Sequence, residues 1–69
     1  MHMTACSSSQ VKAHGYDAAT KTLAVQFNSG HTYHYHDVTA SQYDELCKAD
    51  SIGSHLHKAI KGMHKYTKI

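Results

Sequence analysis

With 69 residues, the chain has room for one domain, and a domain this size buries only about 60% of its unfolded surface, which leaves it marginally stable and makes a homo-oligomer a natural expectation. Its formal net charge of +2 comes from seven lysines, no arginine and five acids, with eight histidines counted as neutral. The missing arginine removes the bidentate fork that reads phosphate and guanine, and no apolar run approaches the ~20 residues of a membrane span.

Residues 1–9 read as a flexible polar lead-in, with Ser7-Ser8-Ser9 as a turn-forming piece. No apolar run follows Met1-His2-Met3-Thr4, so no signal peptide is expected, and Met1-His2-Met3 are given no function. Cys6 and Cys47 stand too far apart and too alone for a secreted disulfide framework, which points to a reduced, cytoplasmic setting. The first strand is expected from about Gln10 to Tyr16, with Val11 and Ala13 on one face and Lys12 and His14 on the other. Tyr16 to Lys21 is the connection to a second strand, Thr22 to Phe27, in which Leu23, Val25 and Phe27 point inward.

Asn28-Ser29-Gly30 closes the next hairpin, since Asn and Gly accept the positive φ that a three-residue loop needs. A third strand, His31 to about His36, places Tyr33 and Tyr35 on the inward face and His34 and His36 on the outward one. The hydrophobic period then changes from 2 to 3.6. Thr39-Ala40-Ser41-Gln42 has the spacing of a capping box, and Tyr43, Leu46 and Cys47 follow as one apolar helical stripe that buries Cys47. A second helix carries Ile52, Leu56, Ala59 and Ile60 at i, i+4, i+7 and i+8, with Asp50 or Ser51 as its cap and Gly62 as its stop. The result is an α+β domain, a three-stranded antiparallel meander followed by two short helices packed on one face, over residues 10–62. Residues 63–69 are a basic tail in which Tyr66 and Ile69 can dock.

The ordered set Gly15-Tyr16-Asp17, Leu23-x-Val25-x-Phe27, Ser29-Gly30-x-x-Tyr33-x-Tyr35-x-x-Val38, Tyr43, Ala49-x-Ser51-x-Gly53 and Ile60-Lys61-Gly62 resembles the KTSC domain. That family is named for a lysyl-tRNA synthetase C-terminal domain and also occurs as small stand-alone proteins of bacteria and phages. Its central signature is a Tyr-x-Tyr pair, matched here by Tyr33 and Tyr35. The resemblance implies RNA binding and a bacterial or phage-infected cell.

Three groups of residues can carry chemistry. Tyr33 and Tyr35, with Tyr16 at a strand edge, suit base stacking; the two strand tyrosines equally suit core packing. His34 and His36 lie ~7 Å apart along one strand face, and His14 on a neighbouring strand can add a third imidazole, although no Cys or carboxylate is tied to that face and solvated surface is the plainer reading. Ser51, Gly53 and Ser54 open the second helix, with His55, Lys58 and Lys61 beside them, which suits a phosphate as well as ordinary capping.

No nucleophile with an oriented base, no Gly-rich phosphate loop and no CxxC is present, so neither an enzyme nor a cofactor is expected. The leading expectation is a non-enzymatic module binding nucleic acid or nucleotide phosphates. The alternatives are a phage-type oligomeric regulatory protein that sequesters or inhibits a host factor or signalling nucleotide, and a histidine-rich metal-binding surface.

Overall fold

The computed structural model describes residues 3–6, 10–60 and 62–69; Ser7-Ser8-Ser9, expected to form a turn, and Lys61, a candidate phosphate-site residue, lie outside them. Five strands form one antiparallel sheet in sequential order: β1 (Met3–Ala5), β2 (Val11–Asp17), β3 (Thr22–Phe27), β4 (Thr32–Tyr35) and β5 (Tyr66–Lys68). α1 (Ala40–Lys48) and α2 (Ile52–His55) lie between β4 and β5, and α2 runs directly into a π-helical turn, Leu56–Ile60.

The expected meander is therefore the centre of a wider sheet. Its outer strands come from the segments read as lead-in and tail: Met3–Ala5 pairs with β2, and Tyr66–Lys68 pairs with β4. Each outer strand has only three residues and largely exposed side chains, so no alternation marks it in the sequence. The β3–β4 hairpin forms as expected, with Gly30 at φ 98°, a left-handed position that a side chain would strain.

A β-bulge in β2 re-phases the first strand. Val11 faces Phe27, Ala13 faces Gln26 and His14 faces Val25, so Lys12 is the extra residue. His14 and Tyr16 therefore turn to the helix side with Val25 and Leu23, while Ala13 turns to the other face. This corrects the alternation expected for β2, because strict parity holds only while the ladder has no inserted residue.

The core lies between the sheet and the helices: Val11, Leu23, Val25, Tyr35, Val38, Leu46, Leu56 and Ile60 are buried together. Each large aliphatic side chain among them contributes about 1.5–3 kcal/mol by leaving water. The capping box of α1 is complete, since Thr39 Oγ1 accepts the Gln42 N–H at 3.2 Å and Gln42 Oε1 accepts the Thr39 N–H at 2.9 Å. Leu46 fills the core as expected, whereas Cys47 is exposed. α1 is narrow in its contact with the core, and Leu46 is its one buried residue. Among the described residues no helix is long and apolar enough to cross a membrane.

Candidate functional site

A groove lined by aromatic rings opens at the β3–β4 hairpin end of the helix-side face. Tyr33 stands at its centre. Its ring meets Phe27 edge to face at 5.4 Å and 76°, and Tyr66 edge to face at 5.5 Å and 77°. Tyr35 lies behind, 6.4 Å from Tyr33 and 5.9 Å from Tyr66 between ring centres. The register explains this cluster: Tyr33 and Tyr35 project from β4 on one face, and β5 brings Tyr66 opposite Tyr35 and Lys68 opposite Tyr33 on that same face.

Two cavities share the Phe27 and Tyr33 rings as a common wall. The larger, of about 410 Å³, is completed by Gln10, the hairpin residues Asn28, Ser29 and His31, and His57 from the π-helical turn. The smaller, of about 140 Å³, is walled by Phe27, Tyr33, Tyr35 and Tyr66. Among the described residues no carboxylate lines either cavity. Tyr35 is 2% exposed while Tyr66 is 59% exposed, so the cluster runs from the core out to solvent. Burial first, and then the neighbouring Tyr33 and Tyr66 phenols, raise the Tyr35 hydroxyl above the ordinary tyrosine range. These rings offer π-faces and neutral hydroxyls, which suit planar unsaturated ligands.

A second aromatic cluster lies beneath α1. Tyr16 stacks on Tyr43 at 5.1 Å with 13° between planes, and its hydroxyl donates to the Val38 carbonyl. His14 meets Tyr43 edge to face at 5.5 Å, and its Nδ1 lies 2.9 Å from Tyr43 Oη. Burial lowers the His14 pKa, and burial together with the Cys47 thiol pushes Tyr43 up to about 12. Tyr16 is thus half-buried and fully engaged inside the fold, which corrects the expectation of an edge-exposed stacking residue.

The expected histidine triplet does not form. His34 pairs in register with Ala24 and Thr67 on the outer face, and the His36 ring Nε2 lies 2.9 Å from Thr67 Oγ1. His14, turned by the bulge, is on the opposite face of the sheet. Among the described residues no three His, Cys, Asp or Glu side chains are arranged to hold a metal.

The helix start is occupied by its own chain. Ser51 Oγ accepts the Ser54 N–H at 3.3 Å, and Gly53 is buried so close to Gln10 that a Cβ would meet Gln10 Oε1 at 2.8 Å. His55 is half-buried with Nε2 out of contact with any partner, and Lys58 is exposed. The π-helical turn instead brings His57 to the groove.

Of the residues singled out from sequence, the groove therefore unites Tyr33 and Tyr35. It excludes Tyr16, His34 and His36, while Ser51, Gly53, Ser54, His55 and Lys58 lie outside its lining. The residues missed are Phe27, His31, His57 and Tyr66 as site residues. Parity alone links His31 to Tyr33 and Tyr35, so that signal was available; the placement of His57 depends on a π turn that hydropathy does not reveal.

Residues 7–66 match the KTSC domain family. A lysine–tRNA ligase from a Nostoc species is 41% identical over 59 residues, 86% of this chain and 10% of that protein. The chain thus spans about a tenth of the length of such ligases. A small protein of Tsukamurella paurometabola is 37% identical over 59 residues, 86% of this chain and 88% of that one. The crystal structure of a KTSC domain protein from Yersinia pestis superposes with a TM-score of 0.93 at 32% identity, covering 99% of this chain and 96% of that chain.

Proposed function

The chain belongs to the KTSC domain family, and on that premise we propose that it is a small non-enzymatic binding module for nucleic acid or nucleotide phosphates, with the aromatic groove as its site. The observation that carries this reading is the Phe27–Tyr33–Tyr66 ring set, held at a solvent-open cleft with His31 and His57 on its walls and no carboxylate lining it. Bases stack on exposed aromatic faces without needing sequence-specific contacts, and lysines supply point charges for phosphate. Lys68 stands opposite Tyr33 in the ladder, so one such charge is carried on the same face as the central ring. Kinship with a segment of lysine–tRNA ligases, whose name makes tRNA their substrate, supports the same reading. Among the described residues no nucleophile is hydrogen-bonded to an oriented base beside either cavity, in keeping with a binding site.

Fluorescence anisotropy with short labelled single-stranded RNA and DNA tests it. Binding is expected to weaken with salt, each phosphate contact adding about −0.7 to the slope of log K against log salt. No binding to either strand even below about 100 mM salt overturns the reading.

A further inference from the structure

The two cavities differ in size and enclosure but share one wall, and that arrangement has a consequence for what the groove accepts. The smaller is about 140 Å³ and is walled by four rings. A dry cavity of about 150 Å³ is known to take a benzene ring, so this slot has the volume of a single six-membered ring. The larger, at about 410 Å³, lies within the range of small-molecule sites and has polar walls from the hairpin and the π-helical turn. Between them stands Tyr33, in edge-to-face contact with Phe27 on one side and Tyr66 on the other.

We propose that the groove reads one dinucleotide step of an unpaired strand, with one base on each side of Tyr33 and the intervening phosphate toward Lys68. This rests on the nucleic-acid reading above and narrows it from a surface to a two-base site. The smaller slot takes the six-membered ring of a base within its walls of Phe27, Tyr33, Tyr35 and Tyr66, and the larger takes the neighbouring nucleoside against Phe27, His31 and His57. Lys68 pairs with Tyr33 from β5 and shares its face of the sheet, so its long side chain can extend to a phosphate that links the two slots. The absence of any carboxylate from both walls leaves nothing there to repel that phosphate. Bases held in a duplex are stacked and paired and cannot enter separate slots, so the ligand class is single-stranded.

Calorimetric titration of the full chain with uridine 5′-monophosphate and with oligouridylates of two, three and six nucleotides tests this. Affinity is expected to rise about tenfold or more from one nucleotide to two, as stacking of a second base requires, and then to grow only with the number of binding registers, about fivefold at six. Tyr66→Ala, at a largely exposed position, is expected to bring the dinucleotide to within about threefold of the monophosphate. His57→Ala, exposed on the π-helical turn, is expected to weaken the monophosphate itself. Circular dichroism confirms that each variant folds.

Affinity that climbs evenly past two nucleotides, a length dependence untouched by Tyr66→Ala, or equal binding to an RNA stem overturns the two-slot site and leaves the broader reading standing. No binding at any length overturns both. Self-association that Tyr66→Ala abolishes, with no oligonucleotide bound, assigns the patch of Tyr66, Met63 and Ile69 to a second copy of the chain instead.

Discussion

His14 is 5% exposed, beneath α1, with Nδ1 facing the Tyr43 hydroxyl, and its burial lowers its pKa below the ordinary 6.5. Tyr43, pushed up to about 12, stays a neutral phenol through the physiological range, so His14 is the member of this pair that titrates there. The unfolded chain binds a proton at this residue more readily than the folded one. The stabilisation from His14 is therefore complete above the unfolded value of about 6.5 and is lost as pH falls through the lower folded value. Because His14 exchanges one proton, its share of the slope cannot exceed about 1.4 kcal/mol per pH unit. Urea unfolding of the wild type and of His14→Gln at about pH 7.5 and about pH 5 isolates that share, since the other histidines are common to both. The wild type is expected to lose more stability on acidification than the variant; equal losses would show that His14 charges without cost. Strand parity gave this residue the opposite face, because parity is a local rule and the bulge that breaks it is visible only once β2 is paired with β3.

The bulge at Lys12 is the device by which β2 satisfies two demands. Val11 must enter the core opposite Phe27, and His14 and Tyr16 must also enter it, three and five residues later. Odd spacings alternate faces in a regular strand, so one extra residue must be looped out between them, and Lys12, being exposed, is that residue at no cost in burial. Deletion of Lys12 makes those spacings two and four, so Val11, His14 and Tyr16 keep the core face of a regular strand opposite Phe27, Val25 and Leu23, and what is lost is the Lys12 carbonyl that accepts the Cys6 N–H at 3.0 Å. The expected loss is only about 1 kcal/mol by chemical denaturation, the scale of one backbone hydrogen bond, against about 0.5 kcal/mol or less for Lys12→Ala, which keeps the bulge. A loss of about 3 kcal/mol or more would mean that the bulge itself is needed to seat Val11 and His14.

The elements that sequence pattern revealed, β3, β4 and the capped α1, are those whose signals lie within a few neighbouring residues. β1 and β5 escaped because three exposed residues carry no period, and the π-helical turn escaped because its apolar positions, Leu56 and Ile60, fit an ordinary helix equally well.

The groove exists only in the assembled molecule. Phe27 comes from β3, Tyr33 from β4, His57 from the helical segment and Tyr66 from β5, and no sequence spacing announces that these four converge. The Tyr-x-Tyr pair was legible because one strand holds both rings; its partners were not, because the last strand closes the site from 31 residues beyond Tyr35, in register opposite it. Folding and site formation are thus one event in a domain with a radius of gyration of 10.5 Å, and a ligand that fills the groove binds the folded chain alone. At a free ligand concentration of about 100 times Kd this linkage adds about 2.7 kcal/mol of stability. In a domain of this size each kcal/mol moves Tm by about 4–8 °C, so saturation with hexauridylate at low salt is expected to raise Tm by about 10–20 °C. The shift should shrink as salt rises, following the loss of affinity. Thermal melts followed by circular dichroism, with ligand and salt varied together, measure both. Saturation by anisotropy without a matching rise in Tm would place the contact on segments that bind equally well unfolded, and would remove the groove as the site.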